Sequence, residues 1–544
     1  MKLPALAFLL ASTPLAAAPP AVDPARLAET VKILASDAFE GRGPGTPGET
    51  KTIDYLVGRF KALGLQPAGD KGGWTQAVPL VRTQLGTPET LAAGGKALAM
   101  GKDIYATTVR PIDRVAIAAA PMVFVGYGVS APEKQWDDFK GVDLKGKVAV
   151  FLINDPDYDA AADEPVAGRF SGKAMTYYGR WTYKYEEAAR RGAIAALIVH
   201  DMGAGYGWST VVAGGGGNYD LLRGAGERQG LPLQGWLSGE AAGALFQAAG
   251  LDLAALRVAA RRADFQPVEL KGQSFDAAIP VSHEVVQSHN VLAKLPGTTH
   301  ADEAIVYAAH WDAYGLGTPD AENKRVRPGA NDDALGVAAV LEAARLFVAG
   351  PKPARSIVFA AWTAEERGLL GSEAYARKPL VPLEKTVANF TYDIFQTAGR
   401  AHDVVQIGGG QSDLDDALVA AARAQGRTVT PDARPERGLF YRADHFSLAK
   451  RGVPVLLMMG IGGGADLVNG GRAAGDAWVK DYTDRCYHKS CDAYGADWNL
   501  EGAAEDTALF VTIGRDLANS RRWPAWRAGT EFKALRDKSA AARK

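Results

Sequence analysis

From about residue 275 onward the chain repeats one unit: a short apolar run, a polar loop, then a helical pattern. IVYAAH at 305–310 leads through a loop to ALGVAAVLEAARLF at 334–347, and SIVFAAW at 356–362 leads to Glu365, Glu366 and a further helix. PVLLMMG at 454–460 follows another helical segment. Apolar runs this short read as strands buried on both faces, and their alternation with helices of roughly 10 to 15 residues is the pattern of a parallel sheet between helical layers. The expected fold class is α/β: a three-layer α/β/α main domain with a mostly parallel central sheet, plus an inserted β-rich domain. In such folds ligands gather where strands end. The polar residues that interrupt the apolar runs are therefore the ones to inspect.

At 544 residues the chain exceeds one average domain. Of residues 24–95, those from 24 to about 68 read as helices, with Leu27, Val31 and Leu34 on one face, a break at Gly41-Arg42-Gly43-Pro44-Gly45, and Ile53, Leu56, Phe60 and Leu63 resuming the pattern. This stretch reads as packing structure and forms the N-terminal part of the main domain. Between 96 and 265 the texture changes to short strands at 122–129, 147–153 and 193–200, with a helix over 183–191, and this segment is expected to be an insertion. Its glycines between 203 and 217 are expected to form an exposed, mobile loop, and without a GxxxxGK[ST] pattern they are no phosphate cradle. His200 is expected to be structural. The main domain resumes over 275–520, and the tail at 521–544, with Trp523 and Trp526 among basic residues, is expected to dock on its own domain.

Residues 1–18 combine Lys2, an apolar stretch and a small-residue Ala16-Ala17-Ala18 ending, the pattern of a secretory signal peptide. With no later run of about 18 apolar residues, no integral membrane segment is expected after its removal. The product is expected to be exported, periplasmic or secreted, where Cys486 and Cys491 are free to oxidise into one small loop. Lys plus Arg is 61 against 62 for Asp plus Glu, so bulk charge gives no reason to expect nucleic acid as partner.

The chemistry sits at the strand ends. His310 and Asp312 close the first strand in AAHWD, where an imidazole can ligate a metal while a nearby carboxylate orients its other nitrogen. Asp332 and Asp333 stand at a helix start in GANDDALG, where acids also serve as caps. Glu365 and Glu366 follow the next strand, and two adjacent carboxylates repel unless a cation or proton intervenes. One of them can act as general base while the other faces a metal. Asp393, and His488 with Asp492 in CYHKSCD, add another carboxylate and imidazole. Each alone is explained by capping or packing; the set points to a metal site. Tyr441 to Phe446, with Asp444 and His445, form a further polar island before the 454–459 strand.

AAHWD at 308–312, GANDDALG at 329–336, TAEERGLLGS at 363–372, Asp393 and YHKSCD at 487–492 together resemble the ordered signature of the M28 family of co-catalytic zinc aminopeptidases. FVGYG at 124–128, KGKVAVFLI at 145–153 and EEAARRGAIAALIV at 186–199 are similar to a protease-associated domain. The resemblance implies two zinc ions per chain: His310 with Asp393 on one, Glu366 with His488 on the other, and Asp332 bridging. It implies Glu365 as the base, Tyr487 as a donor to the oxyanion, Asp333 supporting the bridge, Asp312 and Asp492 as partners of the two histidines, and Asp444 with His445 near the cleft. Leu335 stands where the family usually has a small residue. The implied activity is release of residues from the N-termini of peptides or small proteins. A related carboxypeptidase, an amide-cyclising enzyme and a non-catalytic peptide-binding protein are the alternatives.

Overall fold

The computed structural model describes residues 21–213 and 217–543; the expected signal peptide at 1–18 lies outside the described residues. The long strand Val268–Leu295 organises the sheet. Its end runs antiparallel to Arg355–Trp362, its middle to Thr75–Leu85, and its start to Arg114–Phe124. Beyond Arg355–Trp362 lie His300–His310, Thr386–Tyr392 and Val455–Met458, successive neighbours that are all parallel.

Alternation along these strands divides the core in two. Ile305, Tyr307, Ala309, Ile357 and Phe359 face one layer, which the helices Pro24–Leu34, Leu335–Ala349 and Glu501–Asn519 cover. Val306, Ala308, Val358, Ala360 and Trp362 face the other, under Leu370–Arg377 and His445–Ala449. The result is the three-layer α/β/α arrangement with a mixed, mostly parallel central sheet. Leu335–Ala349 is buried on nearly every side, as its all-round apolar sequence demands. Leu335 itself is fully buried in this layer, so its extra bulk is absorbed in packing.

A β-rich region extends the sheet from the start of Val268–Leu295. Arg114–Phe124, Val148–Leu152, Ala195–Val199 and Leu233–Leu237 run parallel in that order, around a separate core that includes Phe124, Val150, Leu197 and Phe246. The strand expected at 122–129 instead starts at Arg114 and stops at Phe124. Gly126 and Gly128 turn the chain with φ of +58° and +63°, and a Cβ on Gly128 would stand 2.2 Å from the Phe151 ring. The helix expected at 183–191 is Trp181–Arg190. Part of the expected 203–217 loop is a short helix, Trp208–Val212, whose Trp208 Nε1 donates to the Gly101 carbonyl at 2.9 Å; residues 214–216 lie outside the described residues. His200 is structural: its Nε2 meets the Tyr206 carbonyl at 3.0 Å and its ring packs near Trp208 and Trp236. The tail folds back, with buried Trp526 donating to the Gly452 carbonyl at 2.9 Å and Arg536 to Thr386 O at 3.0 Å.

Candidate metal centre

Parallel register brings three functional strand ends to one edge of the sheet. His310 pairs with Trp362, and Glu365 follows three residues later. Ala308 pairs with Thr391, so two further residues along each strand set His310 beside Asp393. The fourth element is the single wide turn Ala330–Ala334, which precedes the buried helix and contains a cis peptide between Asp332 and Asp333.

Hydrogen bonds hold that turn from several sides. Asp492 accepts from the backbone N–H groups of Asn331 at 3.0 Å and Asp332 at 3.1 Å. Asn331 exchanges two bonds with the Phe395 backbone, at 2.8 and 3.0 Å. Asp333 accepts from His310 N at 3.2 Å and Gly336 N at 2.9 Å, tying the turn to the strand end and capping the following helix. Gly336 is required here, because a Cβ would stand 2.2 Å from Asp333 Oδ1.

Asp332 sits at the centre of the cluster. Its Oδ1 lies 3.1 Å from His310 Nε2 and its Oδ2 lies 3.2 Å from His488 Nε2, so one carboxylate spans two imidazoles. Asp393 Oδ1 lies 4.0 Å from His310 Nε2, and Glu366 Oε2 lies 3.3 Å from His488 Nε2. Two groups result, His310–Asp332–Asp393 and Asp332–Glu366–His488, each with ligand atoms close enough to share one cation. Glu365 Oε2 is 4.0 Å from His310 Nε2, beside the first group but outside both.

The electrostatics match that geometry. Burial opposes ionisation of Asp332, yet its bonds with His310 and His488 outweigh that and hold it well below the usual carboxylate range. Burial, reinforced by Asp332, pushes Asp393 up to about 8, and burial with Asp393 and Glu366 nearby drives Glu365 well upward. Glu366 is also raised, by burial and then by Asp332, and its Oε1 is buried with no hydrogen-bond partner. Crowded carboxylates with an unpartnered oxygen are what a divalent cation would satisfy, and a His/Asp/Glu donor set suits zinc.

The supporting residues differ in part from expectation. His310 Nδ1 donates to the Asp312 main-chain carbonyl at 3.0 Å, while the Asp312 carboxylate is 3.7 Å away and accepts instead from Glu365 N at 3.0 Å. Asp312 therefore orients both the histidine and the candidate base. Asp492 does not partner His488, because it is committed to the 330–334 turn; the Tyr314 hydroxyl meets His488 Nδ1 at 3.1 Å instead. Tyr487 packs against His488 with ring centroids 3.6 Å apart and the ring planes tilted by 32°, and its hydroxyl lies 3.4 Å from Arg442 Nη2. A disulfide joins Cys486 to Cys491, closing a loop around Tyr487 and His488. Asp444 is buried without a hydrogen-bond partner, pushed up to about 7 chiefly by burial, and its charge reaches Glu365 and Asp393. His445 turns aside: both ring nitrogens lack partners, the ring packs edge-on to Phe440, and burial lowers it to about 3.

Two residues escaped sequence reasoning. Tyr314 lies two positions beyond Asp312, and its aromatic hydroxyl at a strand-end loop was an available signal. Arg42, in the stretch expected only to pack, is wholly buried and donates to the carbonyls of Leu34 at 2.8 Å, Trp311 at 2.7 Å, Pro328 at 2.6 Å and Gly329 at 2.7 Å. It clamps the segment after His310 to the segment before Asp332. Nothing in GRGPG distinguishes such an arginine from a surface one.

Comparison with known proteins locates the resemblance in this half of the chain. Residues 290–512 match the model of peptidase family M28, a span that contains all five candidate ligands. A probable zinc metalloprotease of Pyricularia oryzae is 42% identical over 92 residues, 17% of this chain and 18% of that protein. The aminopeptidase NAALADL1 of Mus musculus is 36% identical over 117 residues, 20% of this chain and 14% of that protein. The chain thus matches less than a fifth of the length of either relative. Among solved structures, an aminopeptidase from Aneurinibacillus sp. strain AM-1 aligns over 94% of this chain and 95% of its own, with 21% identity and a TM-score of 0.47.

Proposed function

We propose that the chain is an exported metallo-aminopeptidase of the M28 type, using two zinc ions to hydrolyse the N-terminal bond of peptides or small proteins. The observation that carries this reading is the Asp332 carboxylate spanning His310 and His488, with Asp393 and Glu366 completing a ligand group on either side. His310 and Asp393 would hold one ion, Glu366 and His488 the other, and Asp332 both. Bound there, zinc supplies Lewis acidity, lowering the pKa of water and polarising a carbonyl.

The remaining roles belong to the protein. Glu365, raised chiefly by burial, takes the proton of the attacking water at its carboxylate and returns it to the departing amine. Asp312 fixes Glu365 through its backbone N–H, and the Tyr487 hydroxyl donates to the developing oxyanion. The 96–265 region is read as a protease-associated domain that flanks the cleft. Export is supported by the pattern of residues 1–18 and by the Cys486–Cys491 bridge, which suits an oxidising compartment. Among the described residues no single helix is long and apolar enough to cross a membrane.

Glu365→Gln tests the mechanism. It should retain both metals by elemental analysis while turnover of a mixed peptide panel falls by roughly 10²- to 10⁴-fold. Near-normal hydrolysis with unchanged zinc would refute the assignment. Identifying the first released product on an unmodified peptide separates aminopeptidase from carboxypeptidase action.

A further inference from the structure

His488 is the least sheltered of the five candidate ligands. Its side chain is 29% exposed, whereas those of His310, Asp332, Glu366 and Asp393 are 5% exposed or less. It ends no strand, and its backbone takes a φ of +64°, a conformation that a side chain bearing a Cβ adopts only at a cost. His310 Nδ1 is held by a main-chain carbonyl. Among the described residues the partner of His488 Nδ1 is a side chain instead, the Tyr314 hydroxyl at 3.1 Å, with the two ring centroids 4.6 Å apart. An imidazole that turns Nε2 to a cation carries its proton on Nδ1, so Nδ1 donates here and the tyrosine oxygen accepts.

Tyr314 is itself held from outside the metal-bearing strands. The Arg367 guanidinium stands over its ring, 5.0 Å from the centroid, and over the Tyr219 ring at 5.3 Å. Arg367 Nη2 also reaches the Tyr314 carbonyl at 3.5 Å, while its Nε is buried without a hydrogen-bond partner. The charge therefore rests on two aromatic faces. Tyr219 belongs to the strand Asn218–Leu221, in the inserted 96–265 stretch, which pairs antiparallel with Thr75–Leu85. Two residues on, and so on the same face, Leu221 is buried with Ala364 and Leu370. Ala364 precedes Glu365 and Leu370 begins the helix Leu370–Arg377, so this strand packs on both ends of the loop that carries Glu365, Glu366 and Arg367.

We propose that Tyr314 is the positioning residue for His488, and that Arg367 and Tyr219 hold Tyr314 in place. A strand of the inserted region thereby governs how firmly one of the two candidate sites keeps its ion. The inference rests on the two-zinc peptidase reading above. The contacts run from Tyr219 through Arg367 and Tyr314 to His488, and they end on one imidazole only; the other, His310, is fixed by its strand and by Asp312. Removing the partner of a ligating histidine costs roughly 10- to 100-fold in metal affinity.

The test is zinc retention by the full chain, titrated with a competing chelator and read as ions per chain. The parent should hold two. Tyr314→Phe keeps the ring and removes the acceptor, and it should weaken one ion by roughly 10- to 100-fold while leaving the other as it was. Tyr219→Ala and Arg367→Met should weaken the same ion by a smaller factor, and Tyr219→Phe, which keeps the aromatic face, should match the parent. In a chain that already carries His488→Ala, adding Tyr314→Phe should change nothing further, a result that general loosening of the fold would not give. Unchanged retention in Tyr314→Phe, equal weakening of both ions, or further loss in the His488→Ala chain would overturn the positioning role and leave the peptidase reading in place. Parent-like retention in both Tyr219→Ala and Arg367→Met would overturn the part given to the inserted region. A parent chain that binds no zinc would overturn the two-zinc reading, and this inference with it.

Discussion

Replacing Arg42 by methionine should loosen the metal centre from behind without touching a ligand. The side chain donates to four main-chain carbonyls drawn from three segments, at 2.6 to 2.8 Å. A hydrogen bond from a charged group is worth roughly 1.5 to 3 kcal/mol, so the four together represent at least about 6 kcal/mol of gross interaction. Methionine also removes the cost of burying a guanidinium, an effective penalty of several kcal/mol, and water can reach some of the freed carbonyls. The net loss should be about 3 kcal/mol, within the range for breaking a buried network. Two of the carbonyls lie just before Asp332 and one just after His310, so the loss should appear as weaker metal retention as well as earlier unfolding. The assay is urea unfolding followed by tryptophan fluorescence, with zinc content measured after dialysis against a weak chelator. Arg42→Lys should be intermediate, since an ammonium has three donors and no planar fork to span four acceptors. A methionine variant that keeps its zinc and unfolds within about 1 kcal/mol of the parent would refute the clamp.

Asp332→Asn should lower occupancy of both metals together, by elemental analysis, whereas loss of one ion alone would contradict a shared ligand. Gly336→Ala places a methyl 2.2 Å from Asp333 Oδ1 and should destabilise by about 1 to 3 kcal/mol, read as a lower thermal midpoint. His445 is buried neutral, lowered from 6.5 to about 3, so between these values the unfolded chain binds a proton that the native chain does not. Its contribution therefore falls as pH drops through that window, by up to about 1.4 kcal/mol per pH unit. His445→Leu should show a shallower acid loss of stability from pH 6 to 4 than the parent, and parallel curves would count against it.

The sandwich and the metal cluster were legible for one reason: a buried parallel strand announces itself as an apolar run, and the residue that ends the run is its polar tip. His310, Glu365 and Glu366 stand at the ends of such runs, whereas Asp393 follows the apolar-polar mixture NFTY and was signalled by the ordered motifs; adjacency of the strands brings them together. His488 does not terminate a strand, and its place was signalled only by the motif around it. The partners were harder, because hydrogen bonds depend on which donor a loop turns inward. Asp492 was expected beside His488, yet its carboxylate meets two backbone N–H groups of the 330–334 turn, a choice no spacing encodes.

The strand Val268–Leu295 is one uninterrupted piece of chain that pairs at its start with the β-rich region and at its end with the metal-bearing sheet. Two bodies joined by a loop can drift, but two that share a strand are splinted. The β-rich region is therefore no removable cassette: excising residues 96–265 would strip the leading part of Val268–Leu295 of its Arg114–Phe124 neighbour and leave a bare edge, open to another chain.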